Sequence, residues 1–164
     1  MAEFPRPLAL DRIGPHGVSM TVTADAAELA VIAQRLMLPS VKRLVCRFDI
    51  RRSEAGILVA DGVLDAAAEQ VCVVTLDPFI QTVHEAFTVH FVPAGDEEDE
   101  PEPDAVDQIP YDSSAIDLGE AAIEQLALAL DPYPRKPGAT LPEGLGGALS
   151  PFAALAGLKP GLQD

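Results

Sequence analysis

Residues 41–52 read VKRLVCRFDIRR and hold five of the eleven Lys and Arg side chains in a chain whose formal charge is −15. Arg43, Arg47 and Arg51 recur every four residues, and Lys42 and Arg52 flank them. Guanidinium groups bind phosphate through paired, charge-assisted N–H donors, so such a row can track a nucleic-acid backbone. Counterion release from RNA helps a net-negative protein only where its cations are locally concentrated, and this stretch is where they are. The competing use is humbler. Outward arginines on a strand also pair with nearby acids, here Asp49, and keep a sheet edge soluble.

Other reactive residue types are scattered. Nucleophilic catalysis needs a Ser or Cys beside a His, and no Gly-flanked serine elbow or phosphate-cradling glycine loop is present. His84 and His90 share a strand face, but six residues place them roughly 20 Å apart, too far for one metal. Cys46 and Cys72 fall in apolar patterns, where a cysteine is a small hydrophobe. No second pair with ligand spacing accompanies them. The sequence therefore offers no catalytic residue, no metal ligand, no cofactor site and no small-molecule pocket motif.

Composition narrows the class. The 164 residues suit one domain with extensions, and 48% apolar content supplies a core built from aliphatic residues, because only 5% are aromatic and Trp is absent. The acidity is uneven: residues 93–164 carry fifteen Asp and Glu against three Lys and Arg. The opening MAEFPRPLALDRIGPHGVSM lacks the apolar core of a secretory signal, and no apolar run is long enough for a membrane span. Two cysteines make no disulfide framework. The cytoplasm is the expected compartment.

The elements that must position the arginines follow from periodicity. FPRPLAL and GVSMTV read as short extended segments around Gly14–Gly17. DAAELAVIAQRLML has helical spacing at Leu29, Ile32, Ala33 and Leu36, with a capping box from Asp25 and Glu28 and a stop at Pro39. From Val41 the period becomes two, with Leu44, Cys46, Phe48 and Ile50 on one face and the arginines on the other. SEAG turns the chain, ILVADGVLDA returns it, EQVCVVTL gives a third strand and HEAFTVHFV a fourth. The expected class is α+β: an antiparallel β-meander, open or curled toward a barrel, packed by two helices.

Residues 93–110 contain eight acids and four prolines, too little apolar surface to order themselves, and are expected to form an acidic disordered loop. IDLGEAAIEQLALAL then reads as the second helix, with Asp117 and Glu120 as a capping box and a buried stripe of Ile123, Leu126 and Leu130, with Ala127 beside them. The domain should occupy residues 1–135, followed by a Gly/Pro-rich flexible tail over 136–164. Within that tail, SPFAALAGLK places Phe152, Leu155 and Leu158 on one side of two helical turns, as a partner-docking peptide or a strap onto the protein's own surface.

Taken in order, GVLDAAAEQVCVVTLDPFIQTVHEAFTVHFVP, an acidic stretch and IDLGEAAIEQLALALDPYPRKPGA resemble the YceD family of large ribosomal RNA subunit accumulation proteins, in particular its proteobacterial branch. The likeness spans roughly residues 3–138. It implies a non-enzymatic factor in ribosome biogenesis whose partner is large-subunit ribosomal RNA or a pre-ribosomal particle. Many relatives carry Cys-x-x-Cys before Leu-x-Pro; here Cys72 matches the first cysteine and Thr75 replaces the second, so a zinc site does not carry over. Two modes of action follow. One is direct RNA contact through Lys42, Arg43, Arg47, Arg51 and Arg52. The other is an acidic adaptor that binds a basic ribosomal protein without touching RNA.

Overall fold

The computed structural model describes residues 4–54, 56–96, 106–112 and 114–140. Along the chain the elements are β1 (Pro7–Ala9), a single 3-10 turn (Leu10–Arg12), β2 (Val18–Thr23), α1 (Ala26–Arg35), β3 (Ser40–Arg52), β4 (Leu58–Val71), β5 (Pro78–Pro93), β6 (Asp107–Tyr111), β7 (Ala115–Asp117) and α2 (Leu118–Ala129). The class is α+β. A five-stranded sheet in the order β2-β3-β4-β5-β6 is open and does not close into a barrel, and β1 pairs with β7 in a separate two-stranded sheet. The first four strands of the main sheet run antiparallel, while β6 joins β5 in parallel.

Two-residue alternation decides the faces. Leu44, Cys46, Phe48 and Ile50 of β3 are buried, as are Leu58, Ala60, Leu64, Ala66 and Ala68 of β4. They form one core with Ile32 of α1 and Leu118, Ile123 and Leu126 of α2. Each large side chain removed from water in this layer contributes about 1.5–3 kcal/mol. Both helices pack on this side of the sheet, so the opposite face of β3 and β4 meets solvent.

Helix α1 begins as its sequence dictates: the Asp25 carboxylate accepts the backbone N–H groups of Ala27 and Glu28, and Glu28 accepts that of Asp25 at 2.8 Å. Its end differs from expectation. The helix closes at Arg35, with Met37 at φ 54° and bonds from Met37 N–H to Gln34 O and Leu38 N–H to Ala33 O, which satisfy the last carbonyls before Pro39 is reached. At α2, Asp117 caps Gly119 and Glu120, but no reciprocal bond from Glu120 is seen because its carboxylate binds Arg35 at 2.8 Å. Ile123 and Leu126 are buried as read, whereas Ala127 is exposed.

The meander is simpler than its sequence suggested. ILVADGVLDA and EQV form one continuous strand, β4, and CVVTL is the turn into β5 rather than a strand. Inward positions stay apolar or small from Leu58 through Ala68, so nothing breaks the ladder; the alanines merely weaken its pattern. The segment read as an acidic loop also ends early, since residues 107–110 belong to β6. Residues 97–105 lie outside the described residues, as do residues 141–164 of the tail.

The N-terminal arm crosses the start of α2. Phe4 is buried, Arg6 N–H donates to Asp117 Oδ1 at 3.0 Å, and Leu118 N–H donates to Arg6 O at 3.1 Å. The Arg6 guanidinium lies 4.2 Å from the Phe4 ring centroid and pairs with Glu28 at 2.9 Å, which ties the arm to both helices.

Candidate functional site

The outer face of β3 carries the arginine row. Arg43, Arg47 and Arg51 point to solvent, with side chains 54%, 62% and 56% exposed. Four residues of strand separate successive members by about 13 Å. Lys42 is left out of the ladder by a register shift between Val41 and Arg43 and is exposed as well.

Carboxylates answer the row one for one. Arg43 pairs with Asp65, Arg47 with Asp49 at 3.3 Å, Arg51 with Asp61, and Lys42 with Glu69 at 3.7 Å. Arg52 donates to the Gly56 carbonyl at 3.5 Å. Asp61 and Asp65 stand diagonally across from Arg51 and Arg43, because Asp49 faces Asp61 and Val45 faces Asp65 in the register. Further bonds brace the acids: Ser19 Oγ donates to Asp49, and Thr88 Oγ1 donates to Asp61 at 2.8 Å. The Ser19 hydrogen bond and then Arg47 hold Asp49 below the usual carboxylate range, while Arg51 and then Thr88 do the same for Asp61. Asp49 and Asp61 therefore stay ionised to lower pH than an unpaired aspartate. Four of the five cations thus have a carboxylate partner, and Arg52 has a carbonyl.

Asp61 and Asp65 had a sequence signal. They stand four residues apart on one face of the returning strand, the same spacing as the arginines. Only the register decides which acid meets which cation.

The cysteines fall where their packing puts them. Cys46 is buried in β3, and burial pushes its thiol up to about 12. Cys72 is also buried, but in the β4–β5 turn, where Thr75 N–H approaches Sγ at 3.5 Å. The turn is closed by Cys72 N–H to Asp77 O and docked by Val73 N–H to Pro134 O, both 2.9 Å. The Thr75 side-chain hydrogen bond, joined by backbone N–H groups of Lys136, Thr75 and Val74, outweighs burial and lowers the Cys72 thiol to about 7. Thiolate absorbance at 240 nm should therefore rise with a midpoint near 7, a step that Cys72→Ser removes and Cys46→Ser leaves in place. The linkage signs are opposite. Cys72, depressed from 9.0 to about 7, contributes stability that is complete above pH 9 and is lost as pH falls through 7. Cys46, raised from 9.0 to about 12, contributes stability that is complete below pH 9 and is lost as pH rises through 12.

His84 and His90 lie on the outer face of β5 as read, with His84 Nδ1 at 4.0 Å from Asp65. No group of three or more His, Cys, Asp or Glu is arranged to hold a metal ion among the described residues. No described helix is long and apolar enough to cross a membrane. Phe152, Leu155 and Leu158 lie outside the described residues.

Comparison with known proteins decides the family. The model of the large ribosomal RNA subunit accumulation protein YceD matches residues 60–159, more than half of the chain. The chain belongs to the YceD family. The match starts in β4 and includes β5, β6, β7, α2 and the segment that carries Phe152, Leu155 and Leu158, whereas the arginine row lies upstream of it. No curated protein and no solved structure matches the chain. YceD membership supports a role in large-subunit ribosomal RNA accumulation and ribosome biogenesis. The cations of the row thus lie upstream of the match, while their partners Asp61, Asp65 and Glu69 fall inside it.

Proposed function

We propose that this protein supports large-subunit ribosomal RNA accumulation as an acidic adaptor, by binding a basic protein of the assembling subunit. The single observation that carries this reading is the one-for-one pairing of Lys42, Arg43, Arg47 and Arg51 with Glu69, Asp65, Asp49 and Asp61. A phosphate approaching the row must displace or sit beside four carboxylates, so much of the attraction that would bring RNA there is already cancelled. The excess charge of the chain is negative, with fifteen acids against three Lys and Arg over residues 93–164. A basic protein is the partner that this excess attracts. Phe152, Leu155 and Leu158 supply a second, apolar contact with an assembly partner in this scheme.

Residue-resolved crosslinking of the intact protein in pre-ribosomal particles tests the reading. Crosslinks to a basic ribosomal protein are expected from the acidic half of the chain, with none to RNA at Arg43, Arg47 or Arg51. Arg43→Gln, Arg47→Gln and Arg51→Gln combined should leave ribosomal RNA accumulation unchanged, because exposed ion pairs of this kind contribute only about 0–1 kcal/mol each to the fold. RNA crosslinks at the row, with accumulation lost in the triple variant, would transfer the function to the sheet face and RNA contact.

A further inference from the structure

Strand β5 pairs with β4 from Pro78 to Phe91, but on its other side β6 covers only Val89–Pro93. Residues 78–88 thus present an open edge among the described residues. Eleven residues at about 3.3 Å each make an edge roughly 35 Å long, and alternate residues turn their N–H and C=O groups outward. Edges of that length are ordinarily blunted by Lys, by an internal Pro, by a bulge or by an inward-pointing charge, and Glu85 is the one such device on this segment. Here FIQTVHEAFT, residues 79–88, contains no Lys and no Pro, and its register with β4 is unbroken. An extended peptide can add to such an edge through main-chain hydrogen bonds alone.

The surroundings select the peptide. One depression lies at the start of the edge, between Phe79–Thr82 and the Asp131–Pro137 segment. Another lies beyond its far end, where Asp107 of β6 faces Glu124 and Leu128 of α2. Glu85 is exposed on the helix-bearing face of the edge, and Leu128 is 68% exposed. Burial raises the Glu124 carboxyl, the neighbouring Glu120 and Asp107 raise it further, and Arg35 offsets this only in part, so negative charge is in excess there. A second copy of the chain would bring two acidic surfaces together. The tail from 141 to 164 has one Lys against two acids.

We infer that the open edge of β5 binds an extended basic peptide by strand addition, with Lys or Arg side chains facing Glu85, Glu124 and Asp107 and an apolar residue against Leu128. This rests on the adaptor reading and names the surface that the basic partner occupies.

The test uses the full-length protein and a fluorescent nonapeptide that alternates Lys and Val, with one terminal Lys replaced by Leu to meet Leu128. Amide resonances of residues 79–88 should shift on titration. Methylating alternate backbone nitrogens of the probe preserves its charge but removes its donors, and should weaken binding by about tenfold or more. Glu85→Lys with Glu124→Lys should weaken it comparably. Equal affinity for the methylated probe would reduce the effect to general attraction toward an acidic protein and overturn the proposal, as would shifts confined to other strands. Binding that appears only after Phe152, Leu155 and Leu158 are changed to Ser would assign the edge to the chain's own tail and overturn it too. If RNA crosslinks at Arg43, Arg47 and Arg51 while the probe still adds to β5, the surface stands and the adaptor reading falls. If a basic protein co-purifies while the probe leaves β5 unshifted, the adaptor reading stands and this surface falls.

Discussion

Gly119→Ala should lower the stability of the protein by about 3 kcal/mol, the upper range for an overpacked site. A Cβ at Gly119 would lie 1.6 Å from the carbonyl oxygen of Phe4 and 2.9 Å from its carbonyl carbon. Both are backbone atoms, so no rotamer change relieves the clash. The arm must leave the helix, which exposes Phe4 and breaks the bonds of Arg6 to Asp117 and Leu118. In thermal unfolding the loss corresponds to a Tm lower by about 10 °C for a domain of this size. A double variant supplies the control. In a Phe4→Ala background the arm is already weakened, so Gly119→Ala should cost clearly less than it does alone. Equal costs in the two backgrounds would mean that the arm does not lie against the helix start.

Phe48→Ala should cost about 4 kcal/mol, as expected when a buried phenyl ring is removed and a cavity remains. Phe48 is fully buried and meets Phe87 edge-on, with centroids 5.8 Å apart and rings 81° from parallel. The contact reaches across an intervening strand. Phe48 faces Gly62 in the β3–β4 register, and Gly62 faces Phe87 in the β4–β5 register. A Cβ at Gly62 would meet Phe87 Cζ at 2.1 Å, so the ring of Phe87 folds over the glycine to reach Phe48. Gly62→Ala should accordingly cost about 2 kcal/mol in the native background. In Phe87→Ala the same substitution should be nearly neutral, because the ring it displaces is gone. Urea unfolding of the four variants measures both the cavity cost and the coupling. A Gly62→Ala penalty that persists without Phe87 would sink this account.

The parts of the fold that could be read from the chain are those governed by neighbours in sequence. Asp25 and Glu28 fall three residues apart before an apolar helical stripe, and the capping box forms as written. Leu44, Cys46, Phe48 and Ile50 alternate with charged residues, and they are buried while Arg43, Arg47 and Arg51 are not. Glu120 shows where that reasoning stops: it occupies the correct position for a second capping box, yet Arg35, distant in sequence, takes its carboxylate. The continuity of β4 was obscured by Ala66, Ala67 and Ala68, which a helix would accept equally well. β6 gave no local sign at all. It pairs in parallel, and parallel pairing requires a crossover whose landing site depends on the whole sheet.

The candidate site divides in the same way. Residue types alone determined that this chain would concentrate cations on one solvent-facing strand, bury both thiols and place its excess acid in the second half, because solvent exposure and charge follow from composition and periodicity. Tertiary structure decided what those groups do. Strand register set Asp61, Asp65 and Glu69 beside Arg51, Arg43 and Lys42, while Asp49 meets Arg47 within one strand, and the short reach of β6 left most of one side of β5 unpaired among the described residues. Coulomb attraction and main-chain hydrogen bonding act over a few ångströms, and which groups come that close is settled only when distant strands meet.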